Sequence, residues 1–262
     1  MKILMVGAGW VCTHAASLFI EAGHEVQGIS KSQTRWYESP IAPQHLFQWD
    51  FEAPQTTLPT GLWREVDAVI VSIPLQPRNG SQTNPILSNL LTFLKQIQSP
   101  VGIYLSSIGI YPNHSGTYTE ESPIVGHKQQ DRAYTETLIT QNFPQAYVLR
   151  LGGLFGKDRI FAKYFVGKTY TKGEELAHFI HVDDVAGILL ACLELKAPSG
   201  IYNVICPARP SKKEVIMASA VKYGFATPVF SDFDGVPDRM ISSEKLNKHF
   251  DIVFKYPNPI GF

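Results

Sequence analysis

Three groups of residues in this 262-residue chain have types and spacings suited to chemistry. In Gly7-Ala8-Gly9-Trp10-Val11-Cys12, two glycines directly follow an apolar run. The first permits a tight turn. The second lets a phosphate approach the backbone, which no Cβ would allow, while the N–H groups of Trp10 and Val11 at a helix start face the anion. In mid-chain, the hydroxyls of Ser106 and Ser107 follow the apolar residues 101–105. Further on, Lys128 and Arg132 are four apart and share one helical face. Two cations there favour an anionic group such as a carboxylate or phosphate.

The elements that position these groups follow from apolar patterning. Residues 2–6 read as a buried strand. Val11, Ala15, Leu18 and Phe19 make one face of a helix that Gly23 ends, and residues 24–29 read as a second strand. Strand, glycine turn, helix and strand within about 30 residues form the unit that carries a dinucleotide. Cys12 stands where that unit prefers Gly or Ala. After the second strand come Ser30, Lys31 and Arg35, with no acidic residue among them. Cations suit a 2′-phosphate and an acid would repel it, so NADP is favoured over NAD. Asp50 lies just past a third strand at residues 45–50. Residues 67–73 read as a buried strand closed by Pro74, and its end, Ser72-Ile73-Pro74, is expected beside the cofactor. Asn84-Pro85 opens a helix with Leu87, Leu90, Leu91, Leu94 and Ile97 on its apolar face. Strands alternating with helices predict an α/β fold with a doubly wound parallel sheet, ligands lying beyond the carboxyl ends of the strands. Residues 1–150 are expected to form the dinucleotide-binding domain. Residues 151–262 are expected to form a smaller, mixed substrate lobe that contributes in part to the core sheet. Asp183 and Asp184 read as caps of a helix, and His181 as a packing or hydrogen-bonding residue.

Composition sets limits on partners. Acidic and basic residues balance at 23 each, which argues against nucleic acid or an anionic membrane as partner. Gly7, Gly9 and His14 interrupt the N-terminal apolar run, and no stretch approaches the ~18 continuous apolar residues of a membrane span. Cys12, Cys192 and Cys206 are odd in number and lack metal-type spacing, as expected of reduced thiols in a cytoplasmic protein. The eight histidines show no ligand spacing, so no metal is expected. Gly167-Lys168-Thr169 is not a phosphate loop, because Ala162 stands where its earlier glycine is required. A monomer or homodimer acting on a small molecule is the expected form.

The glycine turn, Tyr104-Leu105-Ser106-Ser107-Ile108-Gly109-Ile110-Tyr111, Leu149-Arg150-Leu151-Gly152-Gly153-Leu154-Phe155-Gly156 and His178-Phe179-Ile180-His181-Val182-Asp183-Asp184-Val185 occur in that order. Together they resemble the extended and atypical short-chain dehydrogenase/reductases, the NAD(P)-dependent epimerase/dehydratase group, over nearly the whole chain. The resemblance implies a Rossmann-type fold and an NADP-dependent oxidoreductase or epimerase/dehydratase-like protein with a small, possibly sugar-derived, substrate. It gives Ser107 the role of hydrogen-bonding the reacting oxygen, and Tyr111 a place beside it, although Pro112 replaces the glycine of the family motif. The family carries a catalytic tyrosine four residues before a lysine on the next long helix. Here Lys128 and Arg132 stand in those positions. Ser107, Tyr111 and Lys128 are therefore the expected catalytic residues, with Arg132 on the cofactor. Loss of the tyrosine–lysine pair keeps open the alternative of a non-catalytic NADP(H)-binding sensor or scaffold.

Overall fold

A computed structural model of the chain describes residues 1–34, 36–53, 57–75, 84–231 and 238–262. The first third alternates strand and helix: β1 (Lys2–Val6), α1 (Trp10–Glu21), β2 (Glu25–Ser30), β3 (Leu46–Gln48), β4 (Ala68–Val71) and α2 (Pro85–Leu94). It continues through β5 (Val101–Ser107), β6 (Gly116–Tyr118), α3 (His127–Thr140), β7 (Gln145–Leu151) and β8 (Gly153–Phe155). The last third holds β9 (Thr169–Tyr170), β10 (Phe179–His181), α4 (Val182–Leu193), β11 (Gly200–Val204) and α5 (Lys212–Tyr223). It closes with β12 (Val229–Phe230), β13 (Arg239–Ile241) and α6 (Glu244–His249).

Seven strands form one parallel sheet in the order β11-β7-β5-β4-β1-β2-β3. Their near-continuous apolar runs suit a sheet covered on both faces. Alternate residues feed two cores. Ile3, Met5, Ala68, Ile70 and Leu149 face α1 and α4, while Leu4, Val6, Val69, Val71 and Val148 face α2 and α3. The strand order reverses between β1 and β4, which opens a crevice at their carboxyl ends. The sheet takes β11 from the C-terminal stretch, and α4 packs against α1. The remaining strands pair two by two, β8 with β10, β9 with β12 and β6 with β13, to build the smaller lobe.

Local signals explain the element ends. Asn84 caps α2 by accepting from the Leu87 N–H at 3.1 Å, with Pro85 in the first turn. Ser211 and Glu214 form a reciprocal capping box on α5, and Gly224 ends that helix in the left-handed region. One expectation is corrected. The cap of α4 is His181, whose Nδ1 accepts from the Asp183 N–H, and not either aspartate. Asp184 instead accepts from the N–H groups of Lys255 and Tyr256, and Asp183 pairs with Lys157 and Lys255. The two carboxylates thus clamp the C-terminal segment onto α4.

A buried polar network crosses the sheet end where β5 and β7 lie side by side. Glu136 and Arg150 are each 3% exposed and form a bidentate pair, with Arg150 Nη2 donating at 2.8 Å and Nε at 3.2 Å. Ser106 Oγ donates to Glu136 at 2.5 Å. Arg150 Nη1 donates to the Tyr111 hydroxyl at 2.8 Å, which donates in turn to Asn203 Oδ1 at 2.7 Å. The Asn203 N–H donates to Glu120, and its amide to Ser242 O. No helix among the described residues is long and apolar enough to cross a membrane, and all three cysteines are buried and unpaired. Removing one side of a buried ion pair leaves the other uncompensated, at about 3–5 kcal/mol. Arg150→Met is expected to lose that much in urea unfolding, and the double variant Arg150→Met with Glu136→Met to regain a large part of it.

Candidate functional site

The crevice at the strand reversal is shaped by the first turn. Gly7 has φ +102°, and a Cβ there would meet Ile73 Cγ2 at 2.7 Å and the Ser72 carbonyl carbon at 2.9 Å. Only glycine fits both the conformation and the approach to the end of β4. Gly9 differs. Its φ of −91° is ordinary, and among the described residues beyond its chain neighbours the only atom within 4 Å of an ideal Cβ is Gly7 O, at 3.9 Å. Open space therefore lies in front of the α1 N-terminus, where Gly9 supplies no side-chain cap and the N–H groups of Trp10 and Val11 stand in the first turn. Cys12 is fully buried, and its thiol, bonded to Ser72, is pushed up to about 12 by burial, so it acts as a small packing residue in the third position. The Trp10 side chain turns away to the lobe. Its indole N–H donates to Asp158 at 2.7 Å, and the Arg159 guanidinium lies 3.9 Å from its ring.

Ser30, Lys31, Asp50, Ile73 and Pro74 come together around a small cavity of about 100 Å³, which Trp49, Glu52 and Ile86 also line. The expectation of a cationic loop free of acids is corrected here. Lys31 Nζ lies 3.3 Å from Asp50 and 2.7 Å from Glu52, because β3 returns alongside β2 and brings both carboxylates to it. Ser30 Oγ donates to Ser32 O and accepts from the Trp36 indole. Arg35 lies outside the described residues.

At the far end of the crevice, Ser107 is exposed at the last position of β5, its Oγ accepting from the Gly109 N–H at 3.1 Å. Arg132 reaches across from α3: its Nη1 would be 2.7 Å from a Cβ at Gly109, close to Ser107. Lys128, one turn earlier on α3, is exposed. Tyr111 is not a cleft hydroxyl. It is 2% exposed, with its oxygen committed to Arg150 and Asn203, and burial pushes its proton affinity further up. Its expected catalytic place is thereby corrected. The four strand-end and helix positions divide: Ser107 and Arg132 both border Gly109, Lys128 faces solvent, and Tyr111 belongs to the network below.

Sequence reasoning missed the lobe side altogether. A cavity of about 210 Å³ adjoins Ile108 and is lined by His178, Lys212 and Arg239 among others. Arg239 and Ile108 are 131 residues apart, and no local spacing announces such a meeting. Among the described residues no group of three or more His, Cys, Asp or Glu is arranged to hold a metal.

Two buried histidines set a pH response. Burial first, then Arg209, Arg239 and Lys212, push His178 down to about 3. Burial likewise pushes His181 down to about 4, against the opposing pull of Asp183. The fold keeps both neutral, while the unfolded chain protonates them near pH 6.5. Their contribution is complete above that pH and is lost as pH falls from 6.5 toward 4, by roughly 1.4 kcal/mol per pH unit for each. Urea unfolding at pH 7.0 and at about 5.5 measures this, and His178→Gln is expected to flatten the slope. A second outcome concerns Gly9. With open space before it, Gly9→Val is expected to keep the thermal midpoint within a few degrees while abolishing binding of a dinucleotide, read by calorimetry.

No family model matches the chain. Protein YeeZ of Escherichia coli strain K12 is 26% identical over 270 residues, covering 99% of this chain and 97% of YeeZ. Among solved structures, UDP-glucuronic acid 4-epimerase from Bacillus cereus, in complex with UDP-glucuronic acid and NAD, superposes with TM-score 0.78 at 18% identity. That match covers 100% of this chain and 96% of the epimerase. The human epimerase family protein SDR39U1 with NADPH superposes with TM-score 0.72 at 17% identity, covering 99% and 96%. The fold of this chain is that of these NAD(P)-binding, epimerase-type extended short-chain dehydrogenase/reductases.

Proposed function

We propose that this chain, built on the extended short-chain dehydrogenase/reductase fold, binds a nicotinamide dinucleotide, NADP(H) in preference to NAD(H), and acts on a small substrate as an atypical oxidoreductase or epimerase. The observation that carries the reading is the open space before Gly9 at the start of α1, beside the ends of β1 and β4. A pyrophosphate fits that cradle, since a Cβ is the group it excludes. Fold relatives solved with NAD and with NADPH support the same reading.

In this reading Gly7, Gly9 and the backbone of Trp10 and Val11 hold the pyrophosphate. Ser30, Lys31 and Asp50 take the adenosine end, together with Arg35 by its place in the sequence. Ser72, Ile73 and Pro74 flank the middle, and Arg132 takes the nicotinamide ribose. A bound nicotinamide supplies or accepts a hydride. Ser107 donates its hydroxyl proton to the reacting oxygen of the substrate. With Tyr111 sealed in the network, Lys128 is left as the proton-carrying group, and from its exposed place in the first turn of α3 it reaches the site only by turning inward, so turnover is slow by enzyme standards. The burial of Tyr111 also favours the second reading, a protein that holds the dinucleotide as a sensor or scaffold.

Lys31 decides the cofactor preference. A 2′-phosphate must draw it from Asp50 and Glu52, so a preference for NADP(H) requires the new charge-assisted contact, roughly 1.5–3 kcal/mol, to outweigh the two it replaces. Calorimetric titration is expected to give tighter binding of NADPH than NADH, with Lys31→Met losing about tenfold or more for NADPH alone. Equal affinities, or tighter NADH, would mean that the two carboxylates win and NAD is the cofactor. Absence of hydride exchange between bound NADPH and a panel of sugars and small carbonyl compounds would favour the sensor.

A further inference from the structure

We propose that the cavity between the end of β5 and the C-terminal lobe recognises the anionic group of a small substrate, a carboxylate or a phosphate monoester, with Arg239 as its principal ligand. The proposal rests on the reading above, because it places the substrate's charged end beside the residue that would meet its reacting oxygen.

The cavity measures about 210 Å³ and is lined by Ile108, Asn113, Glu175, His178, Lys212 and Arg239, among others. Ile108 is the residue after Ser107. Arg239 Nη2 donates to Ile108 O at 2.9 Å, which anchors one edge of the guanidinium. Its Nε is buried and has no hydrogen-bond partner among the described residues. Lys212 is 2.5 Å from Glu175, and Lys172 stands 3.7 Å from the same carboxylate. Two lysines pair with the one acidic side chain of the lining, Glu175, whose charge also acts on Arg239. His178 adds no charge: its Nε2 accepts from the Ile241 N–H, and the cations around it keep it neutral.

A planar guanidinium whose Nε has no partner matches carboxylate and phosphate oxygens. A ligand that offers no acceptor would leave that Nε unsatisfied, which is costly. Size narrows the class further. Sites that enclose drug-sized ligands run to about 300–1,000 Å³. This cavity holds a head group and not a nucleotide. Ile108 follows Ser107 in the chain, so in this reading the anionic group and the reacting carbon belong to one compact substrate. The substrate class is therefore a small hydroxy- or oxo-acid, or the phosphate ester of a small alcohol.

The test uses the purified full chain with 15N-labelled arginine. Inorganic phosphate and propionate are titrated separately while the Nε–H resonance of Arg239 is followed, assigned by its loss in Arg239→Lys. The expected result is a saturable shift in the millimolar range with at least one probe, and the tighter probe names the head group. By calorimetry, Arg239→Met is expected to weaken that probe at least tenfold and Arg239→Lys to weaken it less. NADPH binding, followed by nucleotide fluorescence, is measured on the same samples. NADPH binding with no saturable Arg239 response to either probe overturns the anion site, as does unchanged anion affinity in a folded Arg239→Met variant. An intact Arg239 response in a protein that fails to bind NADPH overturns the cofactor reading and leaves the anion site standing.

Discussion

The pair formed by Glu136 and Arg150 is the constraint on which the carboxyl end of the sheet depends. Two full charges are withdrawn from water at the carboxyl ends of β5 and β7, and neither is tolerable there without the other. The pair is not an efficient source of stability, since apolar residues of the same volume would serve as well. What it supplies is position. Glu136 fixes the rotation of α3 and draws Ser106 inward, so the next residue, Ser107, is left outward at the strand end. Arg150 carries the constraint on through Tyr111 to Asn203 on β11, at the far edge of the sheet. Each donor and acceptor in the chain limits where its neighbour can sit, which is why a fully satisfied polar network specifies one arrangement.

That network also accounts for the departure from the tyrosine–lysine arrangement. α3 presents Arg132 toward Ser107 because Glu136, one turn later on the same face, is pinned by the sheet, while Lys128, in the first turn of the helix, is exposed. Guanidinium in place of ammonium alters what the site can do. It holds anions in a fixed plane and stays protonated, so it orients and does not transfer a proton.

Much of the scaffold was legible in the sequence. Residues 3–6 and 68–71 are uninterrupted apolar runs, and such runs bounded by Gly7 or Pro74 have few fates other than a buried parallel strand. The glycine turn was legible because each glycine answers a separate steric demand. Side-chain partnerships were not. Lys31 reads as a free cation until the pairing of β3 with β2 brings Asp50 and Glu52 to it. Tyr111 reads as a site hydroxyl because a motif records residue order and not which way a ring points. Arg239 and Lys212 carry no local signal, and the motif that holds His178 does not say what it meets, for their relation exists only once these segments are assembled. Periodicity encodes faces, and it is silent about contacts between segments more than a hundred residues apart.

The pairing of β13 with β6 joins segments separated by roughly half the chain, through three residues on each side. Loop-closure entropy grows only with the logarithm of the intervening length, about 0.6 kcal/mol for each doubling. Lengthening or shortening the connections between these ribbons therefore leaves the main sheet nearly indifferent, while it rebuilds the wall that faces Ile108. The turn after β1 is sterically fixed, down to the single hydrogen atom at Gly7. The wall that faces Ile108 hangs from short, replaceable ribbons. Evolution on this fold can exchange that wall while the main sheet stands unchanged.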